Sequence, residues 1–391
     1  MRLHIKDHGF LLLSLLFFFL ATILQQGPLE AFTGTYGVNY GRLADNIPGS
    51  ESVVTLLKAN KIKNVRIFDA DHTVLTAFQN SNLEISVMVP NELLKEISLN
   101  EDKAMEWIKT NVEPFLPHTL IRGIAVGNEI LGSGNVELQE VLPAAVMNVY
   151  QALTRLHLED LIEVSTPHSQ AVFQNSYPPS SCTFRDNIRQ YMFPLLEFFE
   201  KTGSPFYVNV YPFLAYDSDP ATIDINYALF ESNPGIYDEK TKLHYDNMFD
   251  AILDSTYVAL EVAGFGKMEV RVSETGWASN GGPNEKGATK KNARTYNYNL
   301  RKKLAKKKGT PLRPKTVVKA YVFALFNENL KPGQLSERNF GLFKADGSIS
   351  YDIGFSGLSA SSASLSKVNK DMKRVSLLVV ITTLILIMVT I

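Results

Sequence analysis

Eight short apolar runs, each followed by a stretch long enough to hold a helix, constrain this chain more than any other feature. The runs fall at 35–40, 65–68, 84–89, 121–126, 162–166, 206–210, 267–274 and 317–326. Between them lie amphipathic segments at 50–60, 75–79, 93–116, 138–156, 194–202, 245–263 and 290–307. Antiparallel strands can be joined by tight turns, whereas parallel strands need crossovers of this length. Runs such as Ile121–Val126 are apolar on both faces, as strands buried on both sides of a parallel sheet must be. Residues 32–355 are therefore expected to form one α/β domain, a (β/α)8 barrel with enlarged loops. A doubly wound open sheet is the runner-up, weakened because no G-x-G-x-x-G turn follows the first run.

The two ends have a different character. Residues 1–31 carry Arg2 and Lys6, then an apolar run from Phe10 to Leu24, then small and polar residues. That order describes a secretory signal peptide, and the apolar run is shorter than the roughly 20 residues of a spanning helix. At the other end, 356–362 read as a short Ser/Gly/Ala-rich stalk. Residues 363–391 supply a basic, polar spacer and a terminal apolar run from Val375 to Ile391. Small residues, spacer and apolar tail match a GPI-attachment signal that is removed from the mature protein. The expectation is an exported, lipid-anchored protein on the outer face of the plasma membrane or in the cell wall. A tail-anchored helix is the alternative.

Composition excludes several classes. A formal net charge of −1 gives no global electrostatic case for nucleic-acid binding. The single cysteine, Cys182, allows no internal disulfide, so an exported chain of this kind depends on a large core. The His residues show no metal-binding spacing, no G-x-S-x-G elbow occurs, and no glycine loop suited to phosphates is present. No cofactor or metal is expected, and a monomer is. The run from Arg301 to Lys308 reads as a solvated helix end whose cations complement the helix dipole.

Two acids stand out by position. Glu129 ends the fourth run and Glu274 ends the seventh. In a closed parallel barrel both would sit on the same face, where such folds keep their chemistry. Two carboxylates over one groove are the minimum apparatus of glycoside hydrolysis: one protonates the leaving oxygen, the other attacks the anomeric carbon. Their environments must hold their pKa values apart. Asn128 is placed to hydrogen-bond a sugar hydroxyl. Tyr40, Tyr211, Phe213, Trp277 and Phe340 fall at strand ends or in loops, where aromatic planes could hold sugar faces, and Trp277 is expected to line a subsite. Glu328 and Glu337 reach the same end and are assigned to substrate contact and support.

The motifs resemble those of a known family. Tyr36-Gly37-Val38-Asn39-Tyr40-Gly41, Val89-Pro90-Asn91-Glu92, Val126-Gly127-Asn128-Glu129, Asn209-Val210-Tyr211-Pro212, Ser273-Glu274-Thr275-Gly276-Trp277 and Phe323-Ala324-Leu325-Phe326-Asn327-Glu328-Asn329 occur in the order of plant endo-1,3-β-glucanases, glycoside hydrolase family 17. The resemblance covers nearly all of 33–355. It implies a retaining barrel enzyme that cuts internal β-1,3-glucosidic bonds of the callose or laminarin type. Glu274 would be its nucleophile and Glu129 its acid/base, with Asn128, Tyr211, Glu328, Glu337 and Phe340 around the cleft. Two departures bear on subsites. Ala278 stands where the family commonly has Pro, and Phe68 replaces the Tyr of an Arg-Leu-Tyr-Asp strand end. One cysteine leaves no room for the cysteine-rich glucan-binding module that many relatives carry. A glucan-binding protein with little turnover, or a glucanosyl transferase using the same residues, are the alternatives.

Overall fold

The computed structural model describes residues 32–358. The expected signal peptide, most of the stalk and the GPI-attachment segment lie outside the described residues.

Nine strand segments form one all-parallel sheet: β1 (Tyr36–Asn39), β2 (Asn64–Arg66), β3 (Glu84–Val89), β4 (Leu120–Val126), β5 (Glu163–Ser165), β6 (Pro167–His168), β7 (Phe206–Asn209), β8 (Val270–Thr275) and β9 (Ala320–Val322). Their order in space is β5-β4-β3-β2-β1-β9-β8-β7-β6. The two edges, β5 and β6, are separated in sequence by Thr166 alone. They are one interrupted strand, pairing with β4 on one side and β7 on the other. The interruption turns an open sheet into a barrel, and the expected (β/α)8 architecture holds.

The strands exist because their residues are apolar inside and outside. Val38, Val65, Ile85, Val87, Ile121, Val164, Val208 and Val272 are fully buried. Helices cover the outer face with apolar stripes: Ser50–Ala59 buries Val53, Val54, Leu56 and Leu57, as its spacing predicts. Where the structure departs from expectation, burial or capping explains it. The long segment at 93–116 is cut at Asn100, whose side chain caps a new helix, Glu101–Asn111, by accepting from the Lys103 N–H. The helix that 194–202 is expected to close begins at Arg189, as Arg189–Thr202, and carries Pro194 inside it. The buried stripe of Met192, Leu195, Leu196 and Phe199 outweighs the one backbone bond the proline cannot make. The eighth strand is shorter than expected. Beyond Val322 the chain leaves the ladder and returns as a loop, with Phe326 bridging to Phe343.

At the end of the barrel opposite the strand C-termini, charged side chains are buried. Arg271 pairs with Glu163, and the Tyr207 hydroxyl donates to the same carboxylate. Arg271 also reaches Glu269 at 3.1 Å. Fully desolvated charges persist only when paired in this way.

Candidate active site

The strand C-termini open into a groove of about 790 Å³. Its walls include Glu129, Glu274, Asn128, Tyr40, Tyr211, Glu328, Glu337 and Phe340, so the barrel brings together eight of the ten residues singled out from sequence. Trp277 is not there. Its side chain is fully buried, its indole N–H donates 2.9 Å to the Gly287 carbonyl, and it packs on Phe213, Tyr216 and Tyr296. Its expected role as a subsite plane is therefore corrected: after Gly276 the chain turns inward, and the indole completes the core beneath the loop. Phe213, also fully buried, belongs to the same packing and supports Phe340 from behind at 5.5 Å between ring centroids.

Each acid is aimed by its backbone. Glu129 follows Gly127 and sits at φ 54, a left-handed conformation that costs a residue with a Cβ on the order of 1 kcal/mol or more. The conformation persists because the loop is clamped. The Glu129 N–H donates to the Pro167 carbonyl, and Asn91 holds the Asn128 backbone from both sides. Glu274 is aimed by a bulge. The register of β8 against β7 slips between Val272 and Glu274, which frees Ser273 from the ladder.

The hydrogen bonds then differ sharply between the two carboxylates. Glu274 is held by two donors: Arg66 Nη1 lies 2.9 Å from Oε1, and the Tyr211 hydroxyl donates 2.9 Å to Oε2. Arg66 is completely buried, and its other terminal nitrogen donates 2.8 Å to the Asn128 Oδ1. One guanidinium thus fixes both the acid on β8 and the amide beside the acid that lies three residues past the end of β4. Glu129 receives one bond, 2.8 Å from Asn209 Nδ2. The Ser273 hydroxyl donates 2.6 Å to the Asn209 Oδ1, which leaves that amide only its N–H group to offer Glu129.

The electrostatics follow. Burial raises the pKa of Glu129, and the negative charge of Glu274 raises it further; the Asn209 donor and Arg66 pull the other way without cancelling the shift. Burial likewise raises Glu328, which accepts 2.9 Å from the Leu43 N–H. Gly41 makes that approach possible, since a Cβ there would fall 2.4 Å from the Glu328 Oε1. Glu337 pairs at 3.0 Å with Lys331, whose ammonium lies 4.2 Å from the centre of the Phe323 ring. Phe68, the departure noted above, lines the groove with the Arg66 guanidinium stacked on it at 4.7 Å.

Sequence reading did not single out Arg66, Asn209 or Asn91 as site residues. Each lies within or beside a motif, but its importance depends on what faces it across the barrel.

Comparison with known proteins agrees with this geometry. The family described as Glycosyl hydrolases family 17 matches residues 36–355. Glucan endo-1,3-beta-glucosidase 14 of Arabidopsis thaliana is 44% identical over 347 residues, which is 88% of each chain. The solved structure of CJP38, a beta-1,3-glucanase and allergen of Cryptomeria japonica pollen, superposes with a TM-score of 0.79 at 41% identity, covering 82% of this chain and 99% of that one. A structure from a study of two plant beta-glucan endohydrolases with distinct substrate specificities gives 0.75 at 34% identity, covering 82% and 100%. With the match spanning the whole barrel and the groove intact, this chain belongs to glycosyl hydrolase family 17.

Proposed function

We propose that this chain hydrolyses internal β-1,3-glucosidic bonds of β-1,3-glucans by double displacement, with Glu274 as nucleophile and Glu129 as acid/base. The observation that carries the assignment of roles is the unequal bonding of the two acids. Arg66 and Tyr211 each hold one oxygen of Glu274 in a fixed direction, as an attacking group needs. Glu129, with a raised pKa, keeps its proton for the leaving oxygen.

In the first step the Glu274 carboxylate attacks the anomeric carbon while Glu129 protonates the departing glycosidic oxygen. A glycosyl ester forms on Glu274, and the chain fragment on the leaving side departs. Esterification removes the charge of Glu274, one of the two causes that raise the pKa of Glu129. With that cause gone the pKa of Glu129 falls, so the carboxylate that has just given up its proton stays ionised and is free to act as base in the second step. It takes a proton from water, the water oxygen attacks the anomeric carbon, and Glu274 is released as carboxylate. Asn128, pinned by Arg66, presents its amide N–H toward the sugar beside the reaction centre. Tyr40, Tyr211, Phe340, Glu328 and Glu337 bind flanking units. The groove is open at the surface, which suits cutting within a chain.

The decisive assay measures reducing ends released from soluble laminarin. Glu274→Ala should abolish their release, and the wild type should first form the β-anomer. Full activity in the variant, or inversion, would overturn the roles. Accumulation of longer chains instead of shorter ones would identify a transferase.

The same reading includes export, a GPI anchor on the outer face of the plasma membrane, and a monomer. What supports export and anchoring is the character of 1–31 and 363–391. A phosphatidylinositol-specific phospholipase should release the protein from membranes.

A further inference from the structure

Between Glu285 and Glu328 the chain contains thirteen Lys or Arg residues and no Asp or Glu, although the whole protein has a net charge of −1. The structure gathers much of this charge on one helix, Lys290–Ala305, and the turn after it. Lys290, Lys291, Arg294, Lys302, Lys306 and Lys308 are exposed, and none of them forms an ion pair among the described residues. A surface tuned only for solubility or helix stability would interleave the two signs as i,i+4 pairs. Here the like charges repel at helical spacing, at a cost to the fold.

The ridge is not only charged. Tyr298 stands in its middle, 40% exposed. Arg294 and Lys302, one turn to either side, lie 5.7 and 5.4 Å from its ring centre. From Lys290 to Lys306 the ridge extends about 24 Å at the α-helical rise. At its far end, Lys302, Lys306 and Lys308 rim a recess of about 560 Å³ whose walls also carry Asn233, Asn299, Asp246, Glu231, which accepts from Asn299, and Asp250, which Lys303 neutralises. No residue of this recess belongs to the catalytic groove.

We propose that this ridge and recess form a docking surface for an acidic, uronate-bearing polysaccharide, distinct from the neutral glucan in the groove. Each part of the chemistry has a counterpart. Sugar carboxylates face the unpaired cations of the ridge, a ring face stacks on Tyr298, and hydroxyls meet the amides and the carboxylates of the recess. A lipid surface is disfavoured on a ground that rests on the export reading: the strongly anionic leaflet is the cytoplasmic one. Such docking would hold the enzyme against an anionic matrix and leave the groove free.

The test uses the purified barrel-containing chain and immobilised polygalacturonate, with immobilised neutral glucan and phosphatidylserine vesicles in parallel, at low and moderate salt. Wild type should bind polygalacturonate, with affinity falling as salt rises. The triple variant Lys302→Glu, Lys306→Glu, Lys308→Glu should lose about tenfold or more of that affinity, by removal of the local positive field. Tyr298→Ala should weaken polygalacturonate but not inorganic polyphosphate. Both variants should hydrolyse soluble laminarin at the wild-type rate, which also shows that they fold. Undiminished binding by the triple variant overturns the proposal, as does stronger capture by the vesicles. An equal response to both polymers in Tyr298→Ala overturns the polysaccharide assignment.

Discussion

Arg66 Nη1 lies 2.9 Å from Glu274 Oε1, and this contact joins β2 to β8 over the two strands, β1 and β9, that lie between them. The guanidinium is completely buried and the carboxylate nearly so. A buried pair of this kind is costly to break from one side, because the remaining charge loses its partner.

Arg66→Ala should therefore damage both stability and catalysis. Removing the cation leaves the Glu274 carboxylate with the Tyr211 hydroxyl alone and frees Asn128. The expected losses are about 3 kcal/mol in urea unfolding and at least about 100-fold in kcat. Arg66→Lys should recover part of the stability and little of the rate, since one ammonium cannot serve two acceptors in fixed directions. A near-normal kcat for the lysine variant would remove Arg66 from its positioning role.

Asn209 should set the alkaline limb of the pH profile. Its N–H stabilises the charged form of Glu129 and so lowers a pKa that burial and Glu274 raise. The acid works only while protonated, below that pKa. Asn209→Ala removes the lowering influence, so the alkaline limb of kcat/KM should move to higher pH. Ser273→Ala, which unlocks the amide orientation, should move it the same way by less. A shift to lower pH in either variant would contradict the arrangement.

Phe68→Tyr restores a hydroxyl to the groove beside Arg66. One added hydrogen bond to a sugar should lower KM for laminarin by up to about fivefold, the equivalent of roughly 1 kcal/mol, with kcat little changed. Unchanged KM would show that this wall does not touch the substrate.

Trp277 should prove a core residue. Trp277→Ala should lose about 3–5 kcal/mol of stability. Trp277→Phe, which keeps most of the packing but not the bond to the Gly287 carbonyl, should leave KM at its wild-type value once folded. A large rise in KM with unaltered melting temperature would return the indole to the groove.

His168 should limit stability in acid. It is fully buried against Phe206, neither ring nitrogen has a hydrogen-bond partner, and burial lowers its pKa to about 3. Unfolded, the imidazole titrates near 6.5. Between these values the unfolded chain binds a proton that the native one refuses, so stability falls as pH drops from about 6.5 toward 3. His168→Leu should flatten that part of the melting-temperature profile, measured by calorimetry. An unchanged slope would assign the acid sensitivity to other groups.

The sequence by itself determined the barrel and the two acids. Period and crossover length are local properties, so runs such as 84–89 and 121–126 announced parallel strands, and Glu129 and Glu274 were legible because each ends such a run. Their partners were not. Arg66 reads as an ordinary strand-end cation and Asn209 as a polar residue before a proline turn, and their sequence separations from the acids they touch are 208 and 80. Trp277 shows the reverse case: three residues from Glu274 in sequence, it faces the core, packed on Phe213, Tyr216 and Tyr296. Only closure of the barrel decided which side chains meet, since hydrogen bonds and burial depend on distances in space that a linear pattern does not carry.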